Sequence, residues 1–296
     1  MQILFLGTSS MVPTKERNQS AVLISYNNEG ILVDCGEGTQ RQLKIAGVKL
    51  TSITKILISH WHGDHVLGLP GLIQSMAASD YNKALEIYGP RNTKKFFKNM
   101  FETFIFDRKI EIRIKEVKDE MFFENDDFIL KAKPLEHGIE TLGYSFIEKD
   151  KRKIEVNKLK KFNLKEGPLI GKLQDGKSII FKGKKVKADD VSTVIKGRKV
   201  TIINDTLPCK NADLLAKNSD LLICEATYSS KLEEKSEEYK HMTAKQAAEM
   251  ANRVNAKKLA LTHFSARYKN TLELEEDARN YFDNAACAED FMRINL

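Results

Sequence analysis

His60-Trp61-His62-Gly63-Asp64-His65 places three imidazoles and a carboxylate within six residues. The stretch follows the apolar run Lys55-Ile56-Leu57-Ile58-Ser59, so it lies where a buried strand gives way to a loop. A strand end with a following turn fans consecutive side chains around one point, which a helix does not do for residues two apart. Neutral imidazole and carboxylate suit zinc, and one compact cluster serves two ions when other loops complete the coordination. Gly63 is expected to let the loop turn sharply where a side chain would crowd the cluster.

Working outward, other strands end in the same residue types. Gln2 to Gly7 reads as a buried strand, and Ala21 to Tyr26 with Ile31 to Cys35 flanks the hairpin signal Asn27-Asn28-Glu29-Gly30. The second arm of that hairpin delivers Asp34. Phe128 to Leu135 ends at Glu136-His137, and Leu142 to Glu148 follows as a strand. Lys199 to Asn204 ends in Asp205, Leu221 to Cys224 in Glu225, and Lys258 to Thr262 in His263. Helical spacing marks Thr39 to Ala46 and Leu69 to Ser79. From Thr93, the residues Phe96, Phe97, Met100, Phe101 and Phe104 trace one helical face. Ile110 to Val117 alternates as a half-buried strand, and Thr243-x-x-Gln246 is a capping box after the charged stretch Lys231 to Lys240 and His241. A helix from about Leu272 to Phe282 and a short tail close the chain.

Strand ends on one rim of a sheet-based fold converge, so His60, His62, Asp64, His65, His137, Asp205 and His263 are expected to share one site. Seven donors are too many for one zinc and suit two ions sharing a carboxylate. Such a pair clamps the attacking and leaving oxygens of a hydrolysis. Asp34 is read as the acceptor that orients one liganding imidazole.

The rest of the chain narrows the function classes. Its 296 residues can bury a large core. A net charge of +7 points to a polyanionic partner. The charge is concentrated: residues 149–187 carry 14 basic and 4 acidic side chains, a net +10 that exceeds that of the whole protein and leaves the rest slightly acidic. The stretch is read as an inserted basic arm, with Gly167-Pro168-Leu169-Ile170-Gly171 as a turn or tip. Lysines on phosphates supply affinity without sequence preference. The four cysteines show no CxxC spacing, which argues against sulfur-ligated zinc and for reduced thiols in a cytoplasm. Neither a signal peptide nor a membrane span is expected.

Taken together, these motifs resemble the metallo-β-lactamase fold superfamily and, within it, the tRNase Z family of tRNA 3′-processing endoribonucleases. Phe5-Leu-Gly-Thr-Ser9 is similar to that family's opening strand, and Pro13-x-Lys15-x-Arg17-Asn18 to its PxKxRN loop. Asp34-Cys-Gly-Glu-Gly-Thr-Gln40, Asn204-Asp205-Thr206 and Thr262-His263-Phe-Ser-x-Arg267-Tyr268 are similar to its acidic and ligand motifs. Cys224-Glu225-Ala226-Thr227 resembles its HEAT motif with Cys224 in place of the histidine, and His241-Met242-Thr243 its HST motif with Met242 in place of the serine.

The resemblance implies an α/β, αββα sandwich over residues 1–296, with the arm at 149–187 inserted as a tRNA-binding exosite. It implies two zinc ions per subunit. His60, His62, His137 and Asp205 would hold one, and Asp64, His65, Asp205 and His263 the other. Asp64 would take the proton of the attacking water, and His241, oriented by Glu225, would protonate the departing ribose 3′-oxygen. Lys158, Lys160, Lys161 and the Gly167-Pro168 tip would grip precursor tRNA, while Lys15, Arg17, Asn18 and Arg267 hold its acceptor end. A cytoplasmic homodimer is implied, one subunit's arm serving the other's site. The competing readings are a small-molecule phosphodiesterase or thioester hydrolase on the same fold, which has no use for the arm, and an RNA-binding protein with a relict zinc site.

Overall fold

The computed structural model describes residues 1–105, 109–164 and 167–296; Lys165 and Glu166 of the basic arm lie outside the described residues. The chain divides into two compact units: Met1–Phe123, Leu130–Phe146 and Lys199–Leu296 form the first, and Glu124–Ile129 with Ile147–Arg198 the second. The strands of the amino-terminal part are β1 (Gln2–Gly7), β2 (Ala21–Tyr26), β3 (Glu29–Val33), β4 (Ile53–Leu57), β5 (Ala84–Gly89), β6 (Glu111–Glu116), β7 (Glu120–Glu124), β8 (Phe128–Leu135) and β9 (Thr141–Glu148). Next come β10 (Lys151–Ile154), β11 (Ile179–Phe181), β12 (Lys184–Val186) and β13 (Ser192–Ile195) of the second unit. The chain then adds β14 (Lys199–Ile203), β15 (Leu221–Glu225), β16 (Leu259–Thr262), β17 (Ala285–Cys287) and β18 (Arg293–Asn295).

Two seven-stranded sheets build the first unit, in the orders β18-β1-β2-β3-β4-β5-β6 and β17-β16-β15-β14-β9-β8-β7. In the first, β3 to β6 run parallel; in the second, β14 to β17 do. Parallel neighbours bring their carboxyl ends to the same edge, which is where such sheets place ligands. They are also covered on both faces, which is why Leu221 to Cys224 of β15 read as an unbroken apolar run and all five residues of β4 are buried. Lys55, buried in β4, is paired with Glu29 at 3.0 Å and Glu86 at 3.2 Å.

One face of each sheet carries helices. Leu43, Leu72, Ile73, Met76, Phe97 and Phe101 pack on Leu4, Leu6, Leu32 and Ile56, while Ala212, Leu215, Ala247, Ala251 and Leu274 pack on Ile203, Leu222 and Leu261. Alternate residues such as Ile3 and Phe5 are fully buried without belonging to the helix-covered cluster, as the period of a strand requires. They face the space between the sheets, where Tyr26 of β2 meets Phe146 of β9 edge to face at 5.3 Å. This is the αββα sandwich.

Several local expectations are corrected. Asp64 and His65 stand on a single helical turn, Gly63–Val66, not on an open loop. A Cβ on Gly63 would meet the Leu67 side chain at 3.0 Å, so that glycine relieves a local contact and not the donor cluster. Phe96 and Phe104 are exposed; Phe97 and Phe101 alone of the four phenylalanines in that face are buried. The charged stretch before His241 contains a helix, Glu233–Tyr239. The tail supplies β17 and β18, an edge strand for each sheet.

The second unit extends past 149–187 at both ends. β10 and β13 form an antiparallel ladder, and β11 and β12 a hairpin turned by Lys182 and Gly183, both at positive φ as a type I′ turn requires. Leu159, Leu164, Leu173, Ile179, Val186 and Val191 give it an apolar core of its own. Pro168 opens the helix Pro168–Gln174 at a position where its missing N–H costs nothing, so the segment read as a tip is a helix start. No described helix is long and apolar enough to cross a membrane.

Candidate metal centre

Seven donors from four strand ends meet at one rim, with Asp34 from a fifth behind them. Asp34 follows β3, the His60 to His65 segment follows β4, His137 follows β8, Asp205 follows β14 and His263 follows β16. Two anchors hold the central segment: the Leu142 N–H donates to the Ser59 carbonyl at 2.9 Å, and the Tyr144 hydroxyl to the Ile58 carbonyl at 2.7 Å. Asp34 and His263 have φ of 58° and 63°, the left-handed region that bulky residues avoid. Such strain of about 1–3 kcal/mol persists where the surroundings over-determine it, and it clusters at working sites.

His60, His62, His137 and Asp205 bring one donor atom each within 4.8 Å of the others, and so do Asp64, His65, Asp205 and His263. Asp205 belongs to both sets, its Oδ2 lying 3.6 Å from His60 Nε2 and its Oδ1 3.2 Å from His263 Nε2. Asp64 Oδ2 is 3.3 Å from His65 Nε2 and 3.5 Å from His263 Nε2. Four donors placed tetrahedrally about 2.1 Å from a zinc ion stand about 3.4 Å apart. The observed spacings match that edge.

His60, His65, His137 and His263 are presented by their outer nitrogens, while His62 turns its Nδ1 toward the others. His65 Nδ1–H donates to Asp34 Oδ2 at 2.7 Å and His137 Nδ1–H to the Lys240 carbonyl at 2.9 Å. The Ser59 hydroxyl donates to Asp34 Oδ2 and accepts from His60 Nδ1–H; the Thr227 hydroxyl donates to Glu225 Oε2 and accepts from His263 Nδ1–H. These bonds fix the tautomer that leaves Nε2 as a bare lone pair facing inward. His65 Nε2, His263 Nε2 and Asp205 Oδ1 are buried without a hydrogen-bond partner. Orphaned buried acceptors demand an explanation, and a cation shared among them supplies it. His60 Nε2 and His62 Nδ1, two ring nitrogens 3.0 Å apart, argue the same way.

Electrostatics follow the geometry. Burial holds His60 well below its ordinary pKa, and burial with the neighbouring His137 lowers His62, so both stay neutral as ligands must. Burial works against protonation of His65 too, but Asp205 and Asp34 outweigh it and raise its proton affinity. Burial would push Asp64 up, yet His263 and His65 hold it below the usual carboxylate range. Asp34 accepts from the Ser59 N–H, the Ser59 hydroxyl and Asn204 Nδ2 as well as from His65. Asp34→Asn is therefore expected to weaken metal affinity by about 10–100-fold. Competition against a calibrated chelator measures this, and unchanged affinity rules out an orienting role.

At the edge of the donor set lies a second pair. His241 Nδ1 is 3.1 Å from Glu225 Oε1 and 4.0 Å from Asp205 Oδ2. Burial lowers the His241 pKa, but Glu225 more than compensates and pushes it up to about 9. Glu225 is fully buried and held by the Thr206 N–H at 2.7 Å and the Thr227 hydroxyl at 2.6 Å. Cys224 and Met242 are buried in the helix-covered core next to this pair, so neither departure from the family motifs changes a group facing the site.

Of the residues expected to touch RNA, two are otherwise engaged. Arg17 is 7% exposed and donates from Nη2 to the Tyr268 carbonyl at 2.6 Å. Asn18 ties its backbone N–H to Asp290 and its side chain to the Glu37 carbonyl. Both pin the loop that carries the exposed Lys15. Arg267 is exposed with its guanidinium over the Tyr228 ring at 5.8 Å. In the second unit Lys160, Lys161, Gly167 and Pro168 are exposed, while Lys158 pairs with Glu155 at 2.8 Å. Sequence reasoning assigned no role to Ser59 and Thr227, the two hydroxyls that set tautomers; their signals are the place of Ser59 just before His60 and of Thr227 in the motif that carries Glu225.

Two such sheets with their ligand-bearing ends on one rim are the architecture of metallo-β-lactamase fold hydrolases. A metallo-β-lactamase fold protein of Bacillus subtilis superposes with a TM-score of 0.71 at 16% identity, covering 99% of this chain and 98% of that one. A family profile described as Anti-Pycsar protein Apyc1 matches residues 1–111. The ribonuclease Z of Archaeoglobus fulgidus is 39% identical over 300 residues, covering 100% of this chain and 97% of that protein. Human tRNase Z, short form, has a TM-score of 0.73 at 30% identity, covering 100% and 99%. The chain belongs to the ribonuclease Z family. Membership implies a divalent metal, and the donor set fits one.

Proposed function

We propose that this protein is a dizinc endoribonuclease that removes the 3′ trailer from tRNA precursors, leaving a 3′-hydroxyl on the tRNA and a 5′-phosphate on the trailer. The observation that carries the reading is the convergence of seven metal donors with the His241–Glu225 pair at their edge. His60, His62, His137 and Asp205 would hold one ion, and Asp64, His65, Asp205 and His263 the other. When bound, the ions supply Lewis acidity, neutralising charge on the phosphate and lowering the pKa of water to about 7. Asp64, kept ionised by its two imidazole neighbours, receives the proton of the attacking water. His241, kept protonated by Glu225, gives its proton to the departing ribose 3′-oxygen. Tautomer control by Asp34, Ser59 and Thr227 keeps the ligands aimed while charge moves.

Incubation with an end-labelled tRNA precursor tests this. One cut at the 3′ end of the tRNA with hydroxyl and 5′-phosphate ends is expected; a cyclic phosphate end or scattered cuts would overturn it. The second unit is assigned the tRNA-gripping role on the strength of its charge. The Glu148 N–H donates to the Arg198 carbonyl at 2.8 Å, so its two ends lie side by side and residues 150–196 can be replaced by a short turn. That deletion is expected to lower kcat/KM for precursor tRNA by at least about 10³-fold at physiological salt, while hydrolysis of a small aryl phosphodiester persists. Intact tRNA cleavage would remove the unit from substrate binding. The reading takes the enzyme as a cytoplasmic homodimer; sedimentation of the purified protein tests the dimer.

A further inference from the structure

Beside the donor set, and sharing His62 as a wall, lies a cavity of about 660 Å³. Its surface is mainly aromatic and apolar: Trp61, Phe96, Met100, Leu67 and Ile139 line it, together with the charged Arg91 and Glu140. Phe96, Leu67 and Ile139 are 39%, 54% and 40% exposed, an unusual concentration of apolar surface next to so polar a site. Trp61 and Phe96 stand 5.5 Å apart with their rings tilted by 50°. The Trp61 indole N–H donates to Thr93 Oγ1 at 2.9 Å, and Thr93 Oγ1 to the Pro90 carbonyl at 2.7 Å, so the wall is fixed to the start of the helix Thr93–Glu102. That helix presents Lys94 and Lys95, both exposed, beside Arg91. Flat apolar walls with Arg91, Lys94 and Lys95 close by suit a base attached to a phosphate backbone.

We infer that this cavity receives the base of the first trailer nucleotide, the one joined to the scissile phosphorus through its 5′-oxygen. The inference rests on the proposed function and adds a subsite to it. The nucleotide bearing the leaving 3′-oxygen must lie at His241. The His241 ring is 5.2 Å from that of His137, and His137 is 5.2 Å from His62, so the cavity begins two imidazoles away from the general acid. Neither Glu225 nor His241 lines it. The side remote from the proton donor is left to the nucleotide across the cut. Stacking tolerates any base, so the subsite grips a trailer without reading its sequence.

The test is a double-mutant cycle between protein and substrate. An abasic residue at the first trailer position is expected to lower wild-type kcat/KM by about 10-fold. Phe96→Ala is expected to lose a similar factor on the normal precursor and little more on the abasic one, and Phe96→Tyr to restore the wild-type value. Wild-type indifference to the abasic trailer, which needs no variant to fold, would overturn the assignment. So would penalties that multiply, or coupling of Phe96 to the nucleotide on the tRNA side of the cut. Absence of any precursor cleavage would instead strike the proposed function itself.

Discussion

Replacing Asp205 with asparagine is expected to lower kcat/KM on precursor tRNA by at least about 10³-fold and to cut the bound metal below two ions per chain. Asp205 is the one residue common to both donor sets, with Oδ2 aimed at His60 and His137 and Oδ1 at His65 and His263. It is 2% exposed, so no water replaces the lost charge. The amide retains the shape but offers one neutral oxygen and an N–H₂ that points donors at ligands. Losing several kcal/mol of charge stabilisation in the transition state corresponds to about that factor. Metal content by mass spectrometry and single-turnover cleavage together check it. Two ions and wild-type turnover in the variant would show that Asp205 bridges nothing.

His241→Ala is expected to lower turnover by about 10²–10⁴-fold with metal content unchanged. The selectivity of the loss is the sharper signature. A ribose 3′-alkoxide is a poor leaving group and needs a proton; p-nitrophenolate does not. The variant should lose far more on precursor tRNA than on a p-nitrophenyl phosphodiester. Glu225→Gln should reproduce part of the effect, because the carboxylate is what raises the imidazole to about 9. Equal losses on both substrates would assign His241 to positioning and not to proton donation.

The donor set was legible because strand ends announce themselves. Each donor side chain outside the His60 to His65 segment follows a short apolar run, and those within it are close together in the chain. What escaped notice depends on partners distant in sequence. Nothing local says that Arg17 turns inward to the Tyr268 carbonyl, or that Asn18 is bound by Asp290. β17 and β18 are three residues each and become strands by pairing with β16 and β1, so no periodicity shows them. The helical pattern from Thr93 failed at two of its positions: Phe104 lies past the helix end at Glu102, and Phe96 is on the helix but exposed. In the second unit the charge run masked a core: Leu159, Leu164, Leu173 and Ile179 are spaced among lysines that dominate any composition count.

The proposed ion sites draw their ligands from both sheets, His60 and His62 from the end of β4, Asp205 and His263 from those of β14 and β16. A cation seated there acts as a rivet through the sandwich. During synthesis the first donor set is complete once Asp205 has emerged and the second only when His263 has, so the two halves of the seam are fastened in order.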